Sequence, residues 1–365
     1  MTDLLYSDVE EQLRKSVRDL LADRAPWTAV LKRLETDAPY DAGLWQALAA
    51  GVGVAGLAVA EEAGGHGATW RETAVVAEEL GRSVAGTPFL GSSVLATVAA
   101  DRAGAFDLLA ALASGEQTAA VAIALDTAPG DAFPDAVTVN PDGTLSGTVR
   151  NVVDARTADH LLVPAVGPAG PGIYRVEPAA AARDDVVSFD LTRPLADLGF
   201  AAAPAQAVAE GDDARAALGA ALATGAAMLA SEQLGLAQQC LDMTVDYLKT
   251  RYQFARPIGS YQALKHRVAD VWTAVTQARA LARYAADCVA TGDPDTAVAV
   301  AMAQSHCSET AVQAAEECVQ LHGGIGFTWE HPAHLYLKRA KADAILLGTP
   351  RRHRAHLATL VDLPA

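Results

Sequence analysis

The chain has 365 residues, 51% of them apolar but only 5% aromatic, and a formal charge of −16. That length leads us to expect two or three domains around a large buried core, and the alanine-rich apolar fraction favours helices packed through small side chains. The acidity argues against a nucleic-acid partner or a polybasic membrane contact, and no charge-free apolar run reaches the ~18 residues of a membrane span. A local cluster of Lys338, Arg339, Arg351, Arg352 and Arg354 still leaves room for a small anionic ligand. The opening MTDLLYSDVEEQ is acidic rather than basic and then apolar, so no secretory signal is expected. Cys240, Cys288, Cys307 and Cys318 sit in helical patterns without metal or disulfide spacing, as in a reduced, cytoplasmic protein.

Taken in order, Asp8 to Ala22, Tyr40 to Gly51 and Trp70 to Gly81 carry helical apolar spacing. The stretch from Gly56 to Thr69 ends in a glycine cluster and reads as a loop, and Thr87-Pro88 breaks the pattern before another alanine-rich helix. Between about 117 and 208 the texture changes to short runs (AVAIAL, AVTVN, HLLVPA, GIYRVE, VVSFD) separated by Pro and Gly, which predicts a small antiparallel β-domain. Long helices then return: Ala216 to Lys249, Tyr261 to Ala290, one opening at Asp293-Pro294 and running to about Leu321, and a fourth from Ala333. The expected fold is α+β and mainly helical, with a helical domain over 1–116, the β-domain over 117–208 and a four-helix bundle over 209–365.

Two motifs stand out. The first is RYQFARPIGSYQALKHRVADV, in which Gln262 follows Arg251 by eleven residues; the second, from Cys318 to Thr349, is CVQLHGGIGFTWEHPAHLYLKRAKADAILLGT. A glycine pair after a helix lets a ligand approach the backbone closely. These motifs, the EEAGGHG loop and the helical–β–helical order closely resemble the acyl-CoA dehydrogenase family along essentially the whole chain. In that family the two motifs bind the ADP half of an FAD whose flavin ring sits in the neighbouring subunit. The resemblance gives Arg251 a pyrophosphate to hold, Gln262 and Gln320 amide hydrogen bonds, Phe254 an apolar wall, Gly323 and Gly324 a close backbone approach, and Thr349 a hydroxyl.

The family reaction removes hydrogens from Cα and Cβ of an acyl-CoA thioester, with an electron-transfer flavoprotein as the usual acceptor. It needs a desolvated carboxylate against the α-carbon. The usual position of that base is Leu347 here, and the alternative, 26 residues before Arg251, is Gly225. Neither is an acid. Glu232, two helical turns beyond Gly225, is a weak substitute, with an ion-paired glutamate the more ordinary reading. Asp343 shares a face with Leu347, though its KRAKAD surroundings favour an intrahelical salt bridge; His66 and His322 read as satisfied loop or cap histidines. The small residues Gly225 and Ala226 fit either a bulky acyl group or close helix packing. The segments that line the flavin ring in catalytic members read ALDTAPGDAF (Ala124 to Phe133) and SGTVRNVVDA, with Val152 and Val153, so those contacts are largely gone.

The expectation is therefore a non-catalytic-type subunit of a heterotetrameric acyl-CoA dehydrogenase, resembling those that act on steroid side-chain thioesters. A related subunit would supply base and ring pocket. The alternatives are a self-sufficient dehydrogenase or oxidase with a displaced base, and a flavin-free assembly scaffold.

Overall fold

A computed structural model describes residues 4–38 and 40–363. Helix α1 (Asp8–Arg24) starts from a capping box in which Ser7 and Glu10 satisfy each other's backbone N–H groups. Next come α2 (Trp27–Arg33), absent from the sequence reading, and α3 (Ala42–Gln46), which widens into a π-helical turn over Ala47–Val52. Thr69 and Glu72 form a second capping box at the start of α4 (Trp70–Ser83). After Pro88 a π-helical segment, Phe89–Ala96, runs into α5 (Thr97–Arg102), and α6 (Phe106–Ala113) closes this part.

Eight strands follow: β1 (Ala119–Val121), β2 (Val137–Val139), β3 (Leu145–Val153), β4 (His160–Gly167), β5 (Gly170–Val176), β6 (Ala182–Val186), β7 (Leu195–Ala203) and β8 (Gln206–Glu210). They make one sheet in the order β6-β7-β3-β2-β4-β5-β8, with β1 beside β4. The sheet is antiparallel except where β4 pairs in parallel with β1 and β2. Side chains alternate between two cores, as strand geometry requires. Ala120, Leu161 and Val163 pack within the β-domain, whereas Val121, Ile123 and Leu162 join the core shared with the helices.

The last part holds α7 (Gly211–Thr250), a hairpin of β9 (Tyr252–Gln253) and β10 (Arg256–Pro257), α8 (Gln262–Thr291), α9 (Thr296–His322), α10 (Ala333–Asp343) and α11 (Pro350–Leu360). The start of α9 lies two residues beyond the expected cap: Asp295 is the N-cap, and Asp293 closes the preceding turn by accepting the Asp295 N–H. Helix α7 carries an apolar stretch long enough to cross a membrane, but 72% of that stretch is buried within the protein. It crosses α4 backbone to backbone, since a Cβ on Gly81 would fall 2.0 Å from the Glu232 carbonyl oxygen and one on Gly235 1.8 Å from that of Glu78. The fold is the expected one: mainly helical, a helical part and a bundle flanking a small sheet.

Candidate flavin and acyl-thioester site

The helix ends that carry the two motifs meet. Tyr247, one turn before Arg251, packs its ring on His322 at 4.5 Å, and His322 packs on His331 at 4.3 Å. His322 is buried and its Nδ1 lies 2.6 Å from the Cys318 carbonyl, so it is a satisfied cap residue next to Gly323. Arg251 caps α7, and its carbonyl accepts the Ile258 N–H at 2.8 Å, which closes the hairpin. Its exposed guanidinium has no side-chain partner among the described residues. Phe254 stands at the hairpin tip with φ 52°, 88% exposed, and Gln262 is the exposed first residue of α8. Across from them Gln320, Gly323 and Gly324 are exposed, and Gly323 holds φ 64° and ψ −141°, a conformation suited to glycine. A Cβ on Gly324 would meet no atom within 4 Å. Thr349 does not join this band: it sits beyond the far end of α10 and caps α11 by accepting the Arg352 N–H at 3.3 Å.

The middle of α7 is the opposite. Gly225 and Leu347 face each other: a Cβ on Gly225 would stand 3.1 Å from Leu347 Cδ1 and 2.5 Å from Leu95 Cδ2. Leu347 is 1% exposed; its N–H donates to the Leu125 carbonyl at 2.9 Å, and its own carbonyl lies 3.0 Å from His353 Nε2. Leu95, Val121, Ile123, Leu125, Val153 and Leu347 surround what remains, a void of about 10 Å³. That is room for roughly one water molecule. Gly225 and Ala226 therefore serve close packing, with Leu95 and Leu347 filling the space beside Gly225.

Beside this void lies a buried charge cluster whose make-up sequence reading missed. Glu232 accepts from Arg193 Nη2 and from Arg339 Nη1, each at 2.5 Å. Burial alone would raise its pKa, but the two guanidinium charges outweigh it and hold the carboxyl below its ordinary range. The weak candidacy of Glu232 as a displaced base is thereby corrected: an ionised carboxylate clamped between two arginines is neither free to reach a substrate nor raised in pKa. Arg339 also donates to Asp190 and to the Thr192 hydroxyl. Asp343 pairs with Arg193, across domains at 3.4 Å, rather than within its own helix. Burial and the nearby Glu232 charge push its carboxyl up to about 8, and its Oδ2 has no partner. Asp154, likewise buried, is pushed up to about 6 while accepting the Gly91 N–H at 3.0 Å.

The cluster ties the β-domain (Asp154, Asp190, Arg193) to α7 and α10. No motif announced it, because Arg339 reads in sequence as one more cation of an exposed basic stretch. That stretch is in fact dispersed: Arg339 is buried, Arg352 binds Asp131 at 2.6 Å, Arg354 binds Glu309 at 2.8 Å, and Lys338 lies over the Trp329 ring at 4.6 Å. His66 is an exposed loop residue.

A flavin dinucleotide fits these residues only in part. The exposed band offers a free cation, amide side chains and an open glycine backbone, as a nucleotide approaching from outside requires. The void at Leu347 is far too small for a flavin ring.

This order of a helical part, a small sheet and a helical bundle is that of the flavin-dependent acyl-CoA dehydrogenase class. Residues 7–116 match the family model for the acyl-CoA dehydrogenase N-terminal domain and residues 214–361 that for its C-terminal domain. The chain belongs to the acyl-CoA dehydrogenase family. It is 36% identical over 351 residues to the acyl-CoA dehydrogenase IpdE2 of Mycolicibacterium smegmatis, covering 96% of this chain and 98% of that one. Among solved structures it is similar to the Tcur3481–Tcur3483 steroid acyl-CoA dehydrogenase (31% identity, TM-score 0.86, 97% and 98% of the two chains). It is also similar to the ChsE4–ChsE5 complex of Mycobacterium tuberculosis (27% identity, TM-score 0.88, 100% of both).

Proposed function

We propose that this chain is the non-catalytic-type subunit of a heteromeric, flavin-dependent acyl-CoA dehydrogenase. It offers the ADP-half contacts of FAD to a related partner that carries the base and the flavin-ring pocket. The observation that carries this reading is the void at Gly225 and Leu347. Both positions where the family places its base are apolar here, they face one another, and only about 10 Å³ separates their neighbours. Of the buried carboxylates near it, Glu232 is held by Arg193 and Arg339, and Asp154 is tied through Oδ2 to the Gly91 N–H, its Oδ1 being without a partner.

In this reading Arg251 holds the pyrophosphate, Gln262 and Gln320 bind and orient the nucleotide, Phe254 covers it, and Gly323 and Gly324 let it approach. Bound FAD supplies the hydride-accepting chemistry of the α,β-desaturation, which proceeds in the partner's pocket. Thr349, beyond the far end of α10, has no part in the band and keeps only a second-rank place in the set. A partner-facing role also accounts for the exposed aromatic residues near the band: Tyr252, Phe254, Trp272, Phe327 and Trp329 are all at least 60% exposed. The likeness to the Tcur3481–Tcur3483 and ChsE4–ChsE5 pairs supports a heterotetramer, and the steroid acyl-CoA dehydrogenase among them supports a bulky steroid-type acyl-CoA. An electron-transfer flavoprotein is the acceptor we propose, by family resemblance.

The test is flavin content and mass of the chain purified alone and co-expressed with a related dehydrogenase. A colourless chain that becomes a yellow heterotetramer with half as many flavins as chains is the expected result. A yellow homotetramer with one flavin per chain, bleached by acyl-CoA, would overturn the reading.

A further inference from the structure

A second cation stands on the hairpin that follows Arg251. Arg256, in β10, is exposed, and its guanidinium lies 3.9 Å from the centre of the Tyr261 ring. Stacking on a ring uses the face of a guanidinium and leaves its N–H edges free to donate. Among the described residues no acid or hydrogen-bond acceptor takes them. The arginines of the adjoining α8 differ: Arg267 is paired with Glu317 at 2.7 Å, Arg279 with Glu78 at 3.1 Å and Arg283 with Glu10 at 2.5 Å. In a chain with 28 Lys and Arg against 44 Asp and Glu, two unpaired arginines five positions apart form the local positive charge that an incoming anion needs.

The hairpin holds the two cations as one unit. Arg256 pairs in register with Gln253, and the Arg251 carbonyl accepts the Ile258 N–H at 2.8 Å. The turn between the strands is made by Phe254 and Ala255, with φ 52° and 60°. Two left-handed central residues suit the twist of a two-residue hairpin, but such positions favour Asn and Gly, and other residues hold them under strain. Strain of this kind gathers at ligand clamps, where it fixes an arrangement in advance. Tyr261 is the N-cap of α8, directly before Gln262, so the ring beneath Arg256 sets that guanidinium beside a residue of the nucleotide band. We propose that Arg256 is a second cation for the FAD pyrophosphate, positioned by Tyr261. This rests on the subunit role above and deepens it. A pyrophosphate joining two nucleosides carries two negative charges, of which Arg251 matches one and Arg256 the other. With a formal charge of −16 on the chain, a single exposed cation would leave one phosphate facing repulsion.

The test follows release of FAD from the co-expressed complex on dilution, read by the fluorescence of free flavin. Arg256→Gln is expected to weaken retention about tenfold, the effect of one charged hydrogen bond, and to flatten its dependence on added salt. Arg256→Lys keeps the charge and should restore retention to within about threefold of the parent. Tyr261→Leu removes the ring beneath the guanidinium and should weaken retention several-fold, whereas Tyr261→Phe, which keeps the ring face, should not. The melting temperature of the chain alone should be unchanged in Arg256→Gln. Full retention in Arg256→Gln while Arg251→Ala loses flavin would overturn this proposal alone; full retention in both would overturn the subunit reading with it. Loss of assembly, or a loss of flavin that lysine does not rescue, would place Arg256 in the subunit contact or the fold and overturn the proposal as well.

Discussion

Helix α7 has two contrasting regions. At its C-terminal end Arg251 and the hairpin residue Phe254 stand in solvent beside exposed Gln320, Gly323 and Gly324. Twenty-six residues before Arg251, at Gly225, the nearest side chains are those of Leu95 and Leu347, and almost no space is left. Burying a leucine such as Leu95 or Leu347 contributes about 1.5–3 kcal/mol each, so the closed region stabilises the fold. The exposed band contributes little to it, because its polar groups remain in water. A side-chain set that does nothing for its own fold, held in a conformation only glycine adopts easily, is intelligible as one end of a contact with something else. A pocket packed with leucine is intelligible only as core.

The sharpest way to break this contrast is Leu347→Glu, which puts an acid back at the usual base position. With no cation lining the void among the described residues, the buried carboxyl is expected to cost about 3 kcal/mol or more, read as the denaturant midpoint of the purified chain. Burial raises the pKa of the new group above the roughly 4.3 of an unfolded glutamate, so the loss should shrink as pH falls from that raised value to about pH 4. Dehydrogenase activity in this variant without a partner chain would break the comparison outright.

Arg251→Ala acts on the other side. Loss of charged hydrogen bonds of about 1.5–3 kcal/mol should weaken flavin retention by the assembled complex roughly ten- to hundredfold. The stability of the chain itself should change by less than about 0.5 kcal/mol, since the side chain is exposed. An unchanged flavin content would favour a scaffold without flavin.

A smaller effect sharpens the closed side. Asp343 keeps its proton to about pH 8 in the fold, whereas an unfolded aspartate loses it near pH 4. The folded state therefore holds more protons through that window, and stability falls as pH rises across it. Asp154, pushed up to about 6, adds to the fall only in the lower half. Asp343→Asn, which mimics the protonated acid, should match the parent at or below about pH 4 and exceed it increasingly up to pH 8. The slope it removes is on the order of 1 kcal/mol per pH unit between pH 6 and 8, measured by denaturant titration. Glu232 and Asp190, whose pKa values are lowered, contribute in the opposite sense and only below about pH 4.

How much of this was legible in the sequence differs between the same two regions. The long helices and their glycine break were readable because 3.6-residue spacing and local caps are properties of neighbours in the chain. Strands β3, β6, β7 and β8 were not: β3 carries Arg150 and Asn151, β6 is the charged ARDDV and shares only Val186 with the VVSFD run, β7 is alanine-rich, and β8 has one β-branched residue. Their pairing depends on partners dozens of positions away, as in Leu198 beside Val149. The missing acids at Gly225 and Leu347 could be read directly, but their direct opposition and Leu95's part in filling the gap are matters of packing. The charge cluster was hidden for the same reason, since Arg193, Glu232 and Arg339 come from three elements and look like ordinary surface charges when read singly.

The finest test is Gly324→Ala. An added Cβ meets nothing within 4 Å in this chain, and the residue's φ lies outside the left-handed region, so neither crowding nor backbone strain opposes it. On the chain alone the substitution should be nearly silent, within about 0.5 kcal/mol of the parent, because alanine here loses only the unfolded-state freedom of glycine. If a nucleotide lies against that backbone in the assembly, the same methyl group displaces it, and flavin content of the co-expressed complex should fall while assembly is retained. Gly64→Ala and Gly211→Ala are the wrong controls, since φ is 86° and 62° at those positions and strain would intrude. Gly51, which is exposed, has no positive φ and meets no atom within 4 Å, is the right one: Gly51→Ala should leave both stability and flavin unchanged. A Gly324→Ala complex with full flavin content would mean that the open space beside this glycine is solvent and nothing more.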